Sequence, residues 1–286
     1  MRFVLPAHDH DFALGLDSGA VNGGTVYLFH LAQALKALGH QICMVALGDT
    51  HTKGDVMICQ SEWANHQTWK AFNGIKVCIL GHFIDTVHED PKTIQAHVFI
   101  STWKGAIVEG YSTTYLPHAY AKTVDNGKIT RRGSMVWLGN NYALRDQGWL
   151  QGLSLTLLKA IHPRELAGIY RGADVCPNIH GDFQKGLVST DPSTLANSSG
   201  FALNERFFNI IGAGGVMVTD KHPLNKEIFE EDELLSAGSK EEFQELLQYY
   251  MHHPIEGKKF YARARKKILT HNTYIHRAKQ LLNLIT

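Results

Sequence analysis

Residues Asn204–Asp220, NERFFNIIGAGGVMVTD, carry the strongest indication of the fold of this chain. Its first part mixes polar and apolar side chains at helical spacing, and a cluster of three glycines then ends the helix and lets the backbone pass close to another group. Val216–Val218 follows as a short apolar run, which predicts a buried strand. Such a helix suits a ribose or a sugar when its polar residues face a cleft. An ordinary helix–turn–strand unit of an α/β domain gives the same pattern.

The first half of the chain predicts strands and helices in alternation. Arg2–Pro6 is a short apolar strand, Thr25–Leu38 is an amphipathic helix, and Gln41–Leu47 is the second strand. This βαβ pattern implies a parallel sheet that binds ligands at the carboxyl ends of its strands. Further strands are predicted at Asp55–Cys59, Lys76–Leu80, His97–Ser101 and Thr114–Leu116.

The second half repeats the alternation after a polar linker, Thr123–Gly133. A strand is predicted at Met135–Leu138, followed by a helix to about His162. Pro163 begins the next helix in a favoured first-turn position. The remaining predicted elements are a strand at Val175–Pro177, a helix through Tyr250 that opens with a capping box at Ser239 and Glu242, and helices at Lys258–Ile268 and Thr273–Leu284.

The composition is that of an ordinary globular protein. Of the 286 residues, 44% are hydrophobic and 19% are charged, and the formal net charge is +1. This balance does not point to a nucleic acid or a membrane as the partner. The N-terminus lacks a signal-peptide pattern, and no long apolar run is present, so we expect a cytoplasmic protein without a transmembrane segment. The four cysteines fit neither a zinc site nor a disulfide framework, and we expect reduced thiols in strands.

The loop after the first strand carries candidate site residues. Gly23 and Gly24 lie at the start of a helix, where backbone N–H groups and the helix dipole favour a phosphate. Asp17, with two other aspartates of this loop, is a candidate base for an acceptor hydroxyl. The adjacent side chains of His8–His10 cannot all face one ion, so we predict no metal site.

Three stretches in this order resemble nucleotide-sugar glycosyltransferases with the two-domain GT-B fold, and most closely the group that includes the CgeB-like spore proteins. They are Glu165–Asn178 (ELAGIYRGADVCPN), Asn204–Asp220, and Leu269–Leu281 (LTHNTYIHRAKQL). In the second stretch an R-x-F-E-like run leads into a Gly-Gly and a short strand. The run GGTVYLFHLAQALKALGHQICMV resembles the first Gly-Gly loop, helix and second strand of family-4-type glycosyltransferases.

The resemblance implies two Rossmann-like domains that face each other across a cleft, and a last helix that crosses back to the first domain. We place an acceptor-side domain at residues 1–122, a donor-binding domain at 134–270 and the crossing helix at 271–286. The implied enzyme is a hexosyl- or pentosyltransferase that moves a sugar from a nucleotide diphosphate sugar, with UDP expected, to a hydroxyl acceptor. We expect no cofactor and no metal, because a helix N-terminus and an arginine would offset the charge of the leaving diphosphate.

The resemblance also assigns residues to the donor site. Arg145 is the candidate for gripping the diphosphate, although relatives carry Arg and Lys where this chain has Asn140 and Asp146. His82 follows a strand where related enzymes place a histidine that reaches the donor sugar, and it is our candidate catalytic residue together with Asp17. A loop histidine paired with a backbone carbonyl is an equally good reading of His82. Donor contacts are also expected from Gly23, Gly24, Asn178, His180, Asn209, Gly214 and Gly215.

Family-4 enzymes place two glutamates eight positions apart in this region, the first on the sugar and the second on the ribose. The matching positions of this chain hold Phe201 and Asn209. Asn209 would bind the ribose through its amide. Glu205 is either a substitute catalytic carboxylate or a cap for the first helical turn. The departure indicates an altered donor sugar or lost activity.

Other functions remain open from the sequence. Some phage glycosyltransferases of this fold decorate hydroxylated cytosines, so the acceptor is a glycan, a small molecule or modified DNA. A non-catalytic nucleotide-sugar-binding protein fits Phe201 and Asn209, and a sugar-nucleotide epimerase of the same fold is a third alternative. A basic helix face indicates either a solvated surface or a contact with a polyanionic acceptor. Its residues are Arg263, Arg265, Lys266 and Lys267.

Overall fold

The computed structural model describes residues 1–7, 23–61, 64, 66–80, 94–102, 104, 112–139, 148–159, 161–180 and 202–286. Within these ranges the chain forms two compact units. The described part of the first unit lies within residues 1–117, 202 and 275–286. The described part of the second unit lies within residues 118–180 and 203–274.

The first unit is built on a parallel sheet with the strand order β2-β1-β3-β4-β5-β6. Helix α1 (Gly23–Ala37) connects β1 to β2, and α2 (Gln67–Ala71) connects β3 to β4. Parallel strands joined through helices are the Rossmann-like arrangement that the sequence predicts. The strands are β1 (Arg2–Ala7), β2 (Gln41–Ala46), β3 (Val56–Gln60), β4 (Ile75–Leu80), β5 (Val98–Ser101) and β6 (Thr113–Tyr115).

Trp69 anchors helix α2 and the segment at Ile94 to the core of the first unit. Trp69 of α2 is buried in the core beside Val4, Met57 and Phe99. Its indole Nε1 donates a hydrogen bond of 2.6 Å to the carbonyl oxygen of Ile94. This bond satisfies the polar atom of a ring that otherwise contributes apolar surface to the core.

The second unit alternates short strands with helices. Its helix α3 (Pro163–Gly172) leads into β9, and α4 (Glu205–Ala213) leads into β10. The strands are β7 (Val136–Leu138), β8 (Thr156–Leu158), β9 (Cys176–Asn178), β10 (Met217–Asp220) and β11 (Ser236–Ala237). The remaining helices of this unit are α5 (Asn225–Ile228), α6 (Lys240–His252), α7 (Pro254–Phe260) and α8 (Ala262–His271).

All the strand pairs of the second unit are parallel within the described residues. Strand β10 lies between β9 and β11, and β7 pairs with β8. A parallel bridge between Met135 and Val175 brings the start of β7 beside the start of β9. The carboxyl ends of β7, β9 and β10 therefore point toward one edge of the unit. Helix α4 packs against α3 and α8 and so covers this sheet.

The last helix, α9 (Tyr274–Ile285), begins at the end of the second unit, and residues 275–286 belong to the first. Within the first unit, Arg277 of this helix donates from Nε to the carbonyl oxygen of Pro117 at 2.9 Å. Ala278 and Leu281 are fully buried. A buried apolar stripe at positions i and i+3 is the face that an amphipathic helix packs against its neighbours.

Two sequence-based predictions of local structure are wrong. The helix expected to reach about His162 is absent at Thr156–Leu158, which forms strand β8 instead. Short apolar runs of this kind fit a buried strand as well as a helix, and pairing with β7 decides the outcome. The single helix expected at Lys258–Ile268 is interrupted at Tyr261, whose hydroxyl donates to the carbonyl oxygen of Met217 in β10.

The prediction that the cysteines lie in strands is confirmed, and three of the four are buried as expected, whereas Cys43 is only partly buried. Cys43, Cys59, Cys78 and Cys176 lie in β2, β3, β4 and β9, and all four are free thiols. Burial raises the pKa of the Cys176 thiol well above its ordinary value. This cysteine is therefore a small apolar residue of the core and not a nucleophile.

Candidate functional site

Polar residues gather where the strands of the second unit end. Asn178 closes β9 and lies beside Thr219 of β10 in the parallel register. His180 follows two residues after Asn178, and Asp220 closes β10. The side chains of Asn178, Thr219 and His180 are almost completely buried. Because ligands of parallel α/β sheets bind at the carboxyl ends of the strands, this edge is the candidate site.

Arg206, in the first turn of α4, connects the strand ends. Its Nε donates to Oδ1 of Asn178 at 3.1 Å, and its Nη1 donates to the carbonyl oxygen of Leu138 at 2.8 Å. Its Cζ lies 3.8 Å from the centroid of the Trp137 ring, which is a close cation–π contact. Arg206 is only 7% exposed, so a cationic group is held inside the protein at this edge. Burying a charge is costly, and such residues are usually kept for function or for a specific structural link.

A continuous hydrogen-bond network runs from Arg206 to His180. Nδ2 of Asn178 donates to the Thr219 hydroxyl at 3.2 Å, and that hydroxyl donates to Oδ1 of Asp220 at 3.2 Å. Asp220 also accepts from Nδ1 of His180 at 2.6 Å and from the His180 backbone N–H. The network spans the ends of β7, β9 and β10. It fixes the side chains of this edge in one arrangement.

The electrostatics at the end of the network centre on Asp220. Burial alone would raise the pKa of its carboxyl, but the charge interaction and hydrogen bonds with His180 outweigh burial and hold this pKa below its usual value. The His222 ring lies 4.5 Å from the His180 ring, centroid to centroid. Burial and the neighbouring His180 lower the pKa of His222 to about 4, although Asp220 acts in the opposite direction. Asp220 is therefore an anion and His222 a neutral ring near pH 7.

Asn209 and Glu205 lie one turn apart on α4 and bind each other. Nδ2 of Asn209 donates to Oε1 of Glu205 at 3.2 Å, and Oδ1 of Asn209 accepts from the buried backbone N–H of Ala121 at 3.2 Å. Asn204, and not Glu205, caps the helix, because its Oδ1 accepts from the N–H of Phe207 at 3.0 Å. Glu205 is half-buried at the first helical position. The expected roles of Asn209 on the ribose and of Glu205 in catalysis stay predictions.

The glycine cluster lies at the other end of α4. Gly214 adopts a left-handed conformation with φ of +86° and ends the helix, and Gly215 precedes β10 at its amino end. The group that the backbone approaches closely is the Tyr120 ring, which a Cβ at Gly212 would overlap. The structure therefore does not bring Gly214 and Gly215 to the edge that holds Asn178 and His180. Their geometry is explained by chain reversal and helix packing.

Several predicted residues cannot be placed. His82, Asp17, Arg145 and Phe201 lie outside the described residues. Gly23 and Gly24 were expected immediately before the helix, and in the structure they are its first two residues. Phosphate binding there remains a prediction.

The sequence reasoning missed Arg206, Thr219 and Asp220 of the network, and also His222, which lies against its His180 end. Arg206 is the arginine of the R-x-F-E-like run, so the resemblance to the family could have marked it as a site residue. Asp220 is the acidic residue that ends the strand, and it was read only as a boundary of that strand. His222 had no local signal, because its position against His180 depends on the pairing of β9 with β10.

The basic helix face is largely paired. Glu233, which is nearly fully buried, accepts from Nε of Arg263 at 2.6 Å and from Nζ of Lys267 at 2.5 Å. Arg265 donates to the carbonyl oxygen of Gly212 at 3.1 Å. These contacts give the basic residues a structural role in holding α8 against its own unit.

Neither a metal-binding cluster nor a membrane-spanning helix is found in the part of the chain that the structure describes. No group of three or more His, Cys, Asp or Glu side chains there is placed to hold an ion. No helix among these residues is long and apolar enough to cross a bilayer.

Comparison with known proteins identifies the family. Residues 116–283, more than half of the chain, match the family described as glycosyl transferase-like. The chain belongs to this glycosyl transferase-like family. The predicted family and the predicted enzyme class, glycosyltransferase, are therefore confirmed. Curated protein sequences give no match to it.

Solved structures of glycosyltransferases share the fold of this glycosyl transferase-like chain. A sucrose-phosphate synthase from Thermosynechococcus elongatus is 12% identical with a TM-score of 0.57, covering 99% of this chain and 98% of its own. An alpha-glucosyltransferase in complex with UDP and a 13-mer DNA is 9% identical with a TM-score of 0.65, covering 99% of both chains. Anabaena HepE in complex with UDP and glucose is 10% identical with a TM-score of 0.58, covering 99% and 98%. The likenesses confirm the predicted α/β, GT-B class of fold.

Proposed function

We propose that this protein transfers a sugar from a nucleotide diphosphate sugar, with UDP as the expected nucleotide, to a hydroxyl group of an acceptor. The observation that carries the proposal is the buried network from Arg206 to His180 at the carboxyl ends of β7, β9 and β10. The guanidinium of Arg206, the imidazole of His180 and the N-terminus of α4 lie at this edge. The carboxyl ends of the strands are also where α/β sheets bind nucleotides. Family membership supports a nucleotide sugar as the ligand.

The donor would lie along this edge with its diphosphate toward the N-terminus of α4, where the helix dipole favours negative charge. Arg145 is proposed to grip the diphosphate with two parallel hydrogen bonds. Asn178 and His180 would lie beside the donor, and Asn209 near its ribose. Gly23 and Gly24 at the N-terminus of α1 remain proposed phosphate contacts.

In the transfer step the acceptor oxygen forms a bond to the anomeric carbon, and the bond from that carbon to the diphosphate oxygen breaks. We assign removal of the hydroxyl proton to Asp17, and stabilisation of charge near the reacting carbon to His82 and Glu205. The nucleotide diphosphate leaves with its charge offset by Arg145 and the N-terminus of α4. No metal ion is required in this scheme.

The first test is a thermal-shift panel of UDP-, GDP-, ADP- and TDP-sugars beside the free diphosphates. A ligand at a hundredfold excess over its dissociation constant adds about 2.7 kcal/mol to the free energy of unfolding. For a chain of this size that is a rise in Tm of several degrees. A shift with one base supports the donor site, and no shift with any nucleotide sugar contradicts the proposal.

Two further measurements test the mechanism. Arg145→Ala is expected to abolish the shift, whereas Arg132→Ala, at a half-exposed side chain of the second unit, is expected to keep it. Transfer or hydrolysis of the donor in the presence of EDTA tests metal independence. Donor binding without transfer or hydrolysis would instead select the non-catalytic binding protein, and a changed sugar without any acceptor would select the epimerase.

A groove in the second unit favours modified DNA as the acceptor in a second candidate function. It has a volume of about 330 Å³. The groove is lined by three cationic side chains and one carboxylate, so its net charge is positive and attracts phosphate groups. DNA binding that weakens steeply with salt, together with sugar transfer to duplexes that contain hydroxymethylcytosine, would support this acceptor. The groove is lined by Asn126, Lys128, Thr130, Arg132, Arg164, Glu165 and Gly168.

A further inference from the structure

The imidazole of His180 has one anchored nitrogen and one unanchored nitrogen. The ring is 1% exposed, and its Nδ1 lies 2.6 Å from Oδ1 of Asp220. Its Nε2 is also buried, and among the described residues no group forms a hydrogen bond with it. Leaving a buried polar atom unpaired is unfavourable, so native proteins rarely do it without a functional reason.

Asp220 fixes which nitrogen of His180 carries the proton. The carboxylate accepts from the His180 backbone N–H at 3.2 and 3.1 Å through its two oxygens, and Nδ1 approaches the same group. Nδ1 is therefore the protonated nitrogen. In the neutral ring, Nε2 then presents a lone pair and acts as a hydrogen-bond acceptor.

The faces of the ring are held as well. The His222 ring lies 4.5 Å from it at an interplanar angle of 37°, and the Phe207 ring of α4 lies 5.8 Å from it, centroid to centroid. His222 is itself oriented, because its Nδ1 accepts from the backbone N–H of Leu224 at 3.2 Å. The ring cannot turn to bring Nδ1 to the position of Nε2 without losing these contacts.

We propose that Nε2 of His180 forms a hydrogen bond with a hydroxyl group of the bound nucleotide sugar, and that Asp220 and His222 are positioning residues for this contact. The inference rests on the proposed function, because it requires a nucleotide sugar at this edge. It names the atom of this chain that recognises the donor. The hydroxyl belongs either to the transferred sugar or to the ribose.

The test measures binding of UDP-glucose and of UDP by calorimetry to the wild type, His180→Gln, Asp220→Asn and His222→Phe. His180→Gln is expected to weaken UDP-glucose binding about tenfold, as for the loss of one hydrogen bond. If UDP binding is unchanged in that variant, the hydroxyl belongs to the transferred sugar. If UDP binding weakens equally, the hydroxyl belongs to the ribose. Unchanged affinity for both ligands overturns the inference.

A measurement on the wild-type protein keeps the inference testable if the variants fold poorly. Long-range ¹H–¹⁵N spectra of histidine-labelled protein report the tautomer directly, and sequential assignment of the wild-type backbone identifies the signals of His180. We expect the Nδ1–H form before ligand is added, and movement of the Nε2 signal when UDP-glucose binds. An Nδ1 without a proton, or a stationary Nε2 signal at saturation, overturns the inference. The tautomer is measured without ligand, so a failure of the proposed function is distinguishable from a failure of this contact.

Discussion

The guanidinium of Arg206 lies on the indole of Trp137, with 3.8 Å between Cζ and the ring centroid. Trp137 belongs to β7, and the same guanidinium donates to the carbonyl oxygen of Leu138 and to Asn178. One side chain from α4 therefore ties β7 to the end of β9. A planar group with donors in a fixed fork makes these contacts together, which an ammonium cannot do.

Arg206→Lys is expected to lower the free energy of unfolding by about 2–3 kcal/mol, since buried acceptors lose their donors. Urea unfolding measures this loss. The matched control is Arg132→Lys, whose side chain is 51% exposed and lies 3.7 Å from Glu165. The control should change stability by less than about 0.5 kcal/mol. Equal stability of the two variants would show that Arg206 is not a structural link.

Gly212→Ala is expected to destabilise the protein, because the added Cβ would overlap the Tyr120 ring. Overpacking of a buried site costs about 1–3 kcal/mol, which exceeds the gain of about 0.5–1 kcal/mol for alanine within a helix. Gly238→Ala is the control, since its Cβ would meet nothing closer than Cδ of Lys221 at 3.5 Å. A stabilised Gly212→Ala variant would contradict the close packing of α4 on Tyr120.

Asn209→Leu is expected to cost about 1–3 kcal/mol at all pH values, because the buried N–H of Ala121 loses its acceptor. Asn209→Asp keeps an oxygen for that N–H but places a second carboxylate beside Glu205. Repulsion between the carboxylates raises their pKa values, so the cost of this variant should shrink as the pH falls. Thermal unfolding of both variants between about pH 7 and pH 4 tests the contrast. Parallel pH profiles would contradict it.

Glu233→Gln is expected to lower the free energy of unfolding at pH 7 by about 1–2 kcal/mol, because Arg263 and Lys267 lose a buried anionic partner. The loss stays modest because the two cationic side chains are partly exposed and screened by solvent. Burial alone would raise the pKa of Glu233. The hydrogen bonds from Lys267 and the Glu230 backbone N–H, and the positive charges of Lys267 and Arg263, outweigh burial and hold this pKa below its usual value. The pKa is lower in the folded state than in the unfolded state. The stabilisation is therefore present above the unfolded pKa and is lost as the pH falls through the folded pKa.

The measurement for Glu233 is the difference in Tm between the wild type and Glu233→Gln across this pH range. The difference should be largest near pH 7 and should shrink as the pH falls through the folded pKa. Glu245→Gln, at an exposed position of α6, is the control and should show little difference at any pH. A difference that grows on acidification would contradict the assigned sign.

The alternation of strands and helices and the class of fold were predictable from local sequence patterns. Period-two and helical apolar patterns are local, so β1 to β5 and α1 were predicted to within one or two residues. The family signal was also local, because R-x-F-E-like runs, glycine clusters and the terminal histidine motif are short stretches. Where an apolar run was short, as at Thr156–Leu158, local pattern did not decide between strand and helix.

Which polar residues share a site depends on strand pairing and could not be predicted from local patterns. Asn178 and Thr219 become neighbours through the register of β9 with β10, and His180 meets Asp220 across 40 positions of the chain. The same pairing leaves Gly214 and Gly215 at the opposite end of α4, although the sequence places them closer to Asp220 than His180 is. Sequence distance carries no information about strand pairing, which is settled by burial of the apolar faces and by satisfaction of buried polar groups.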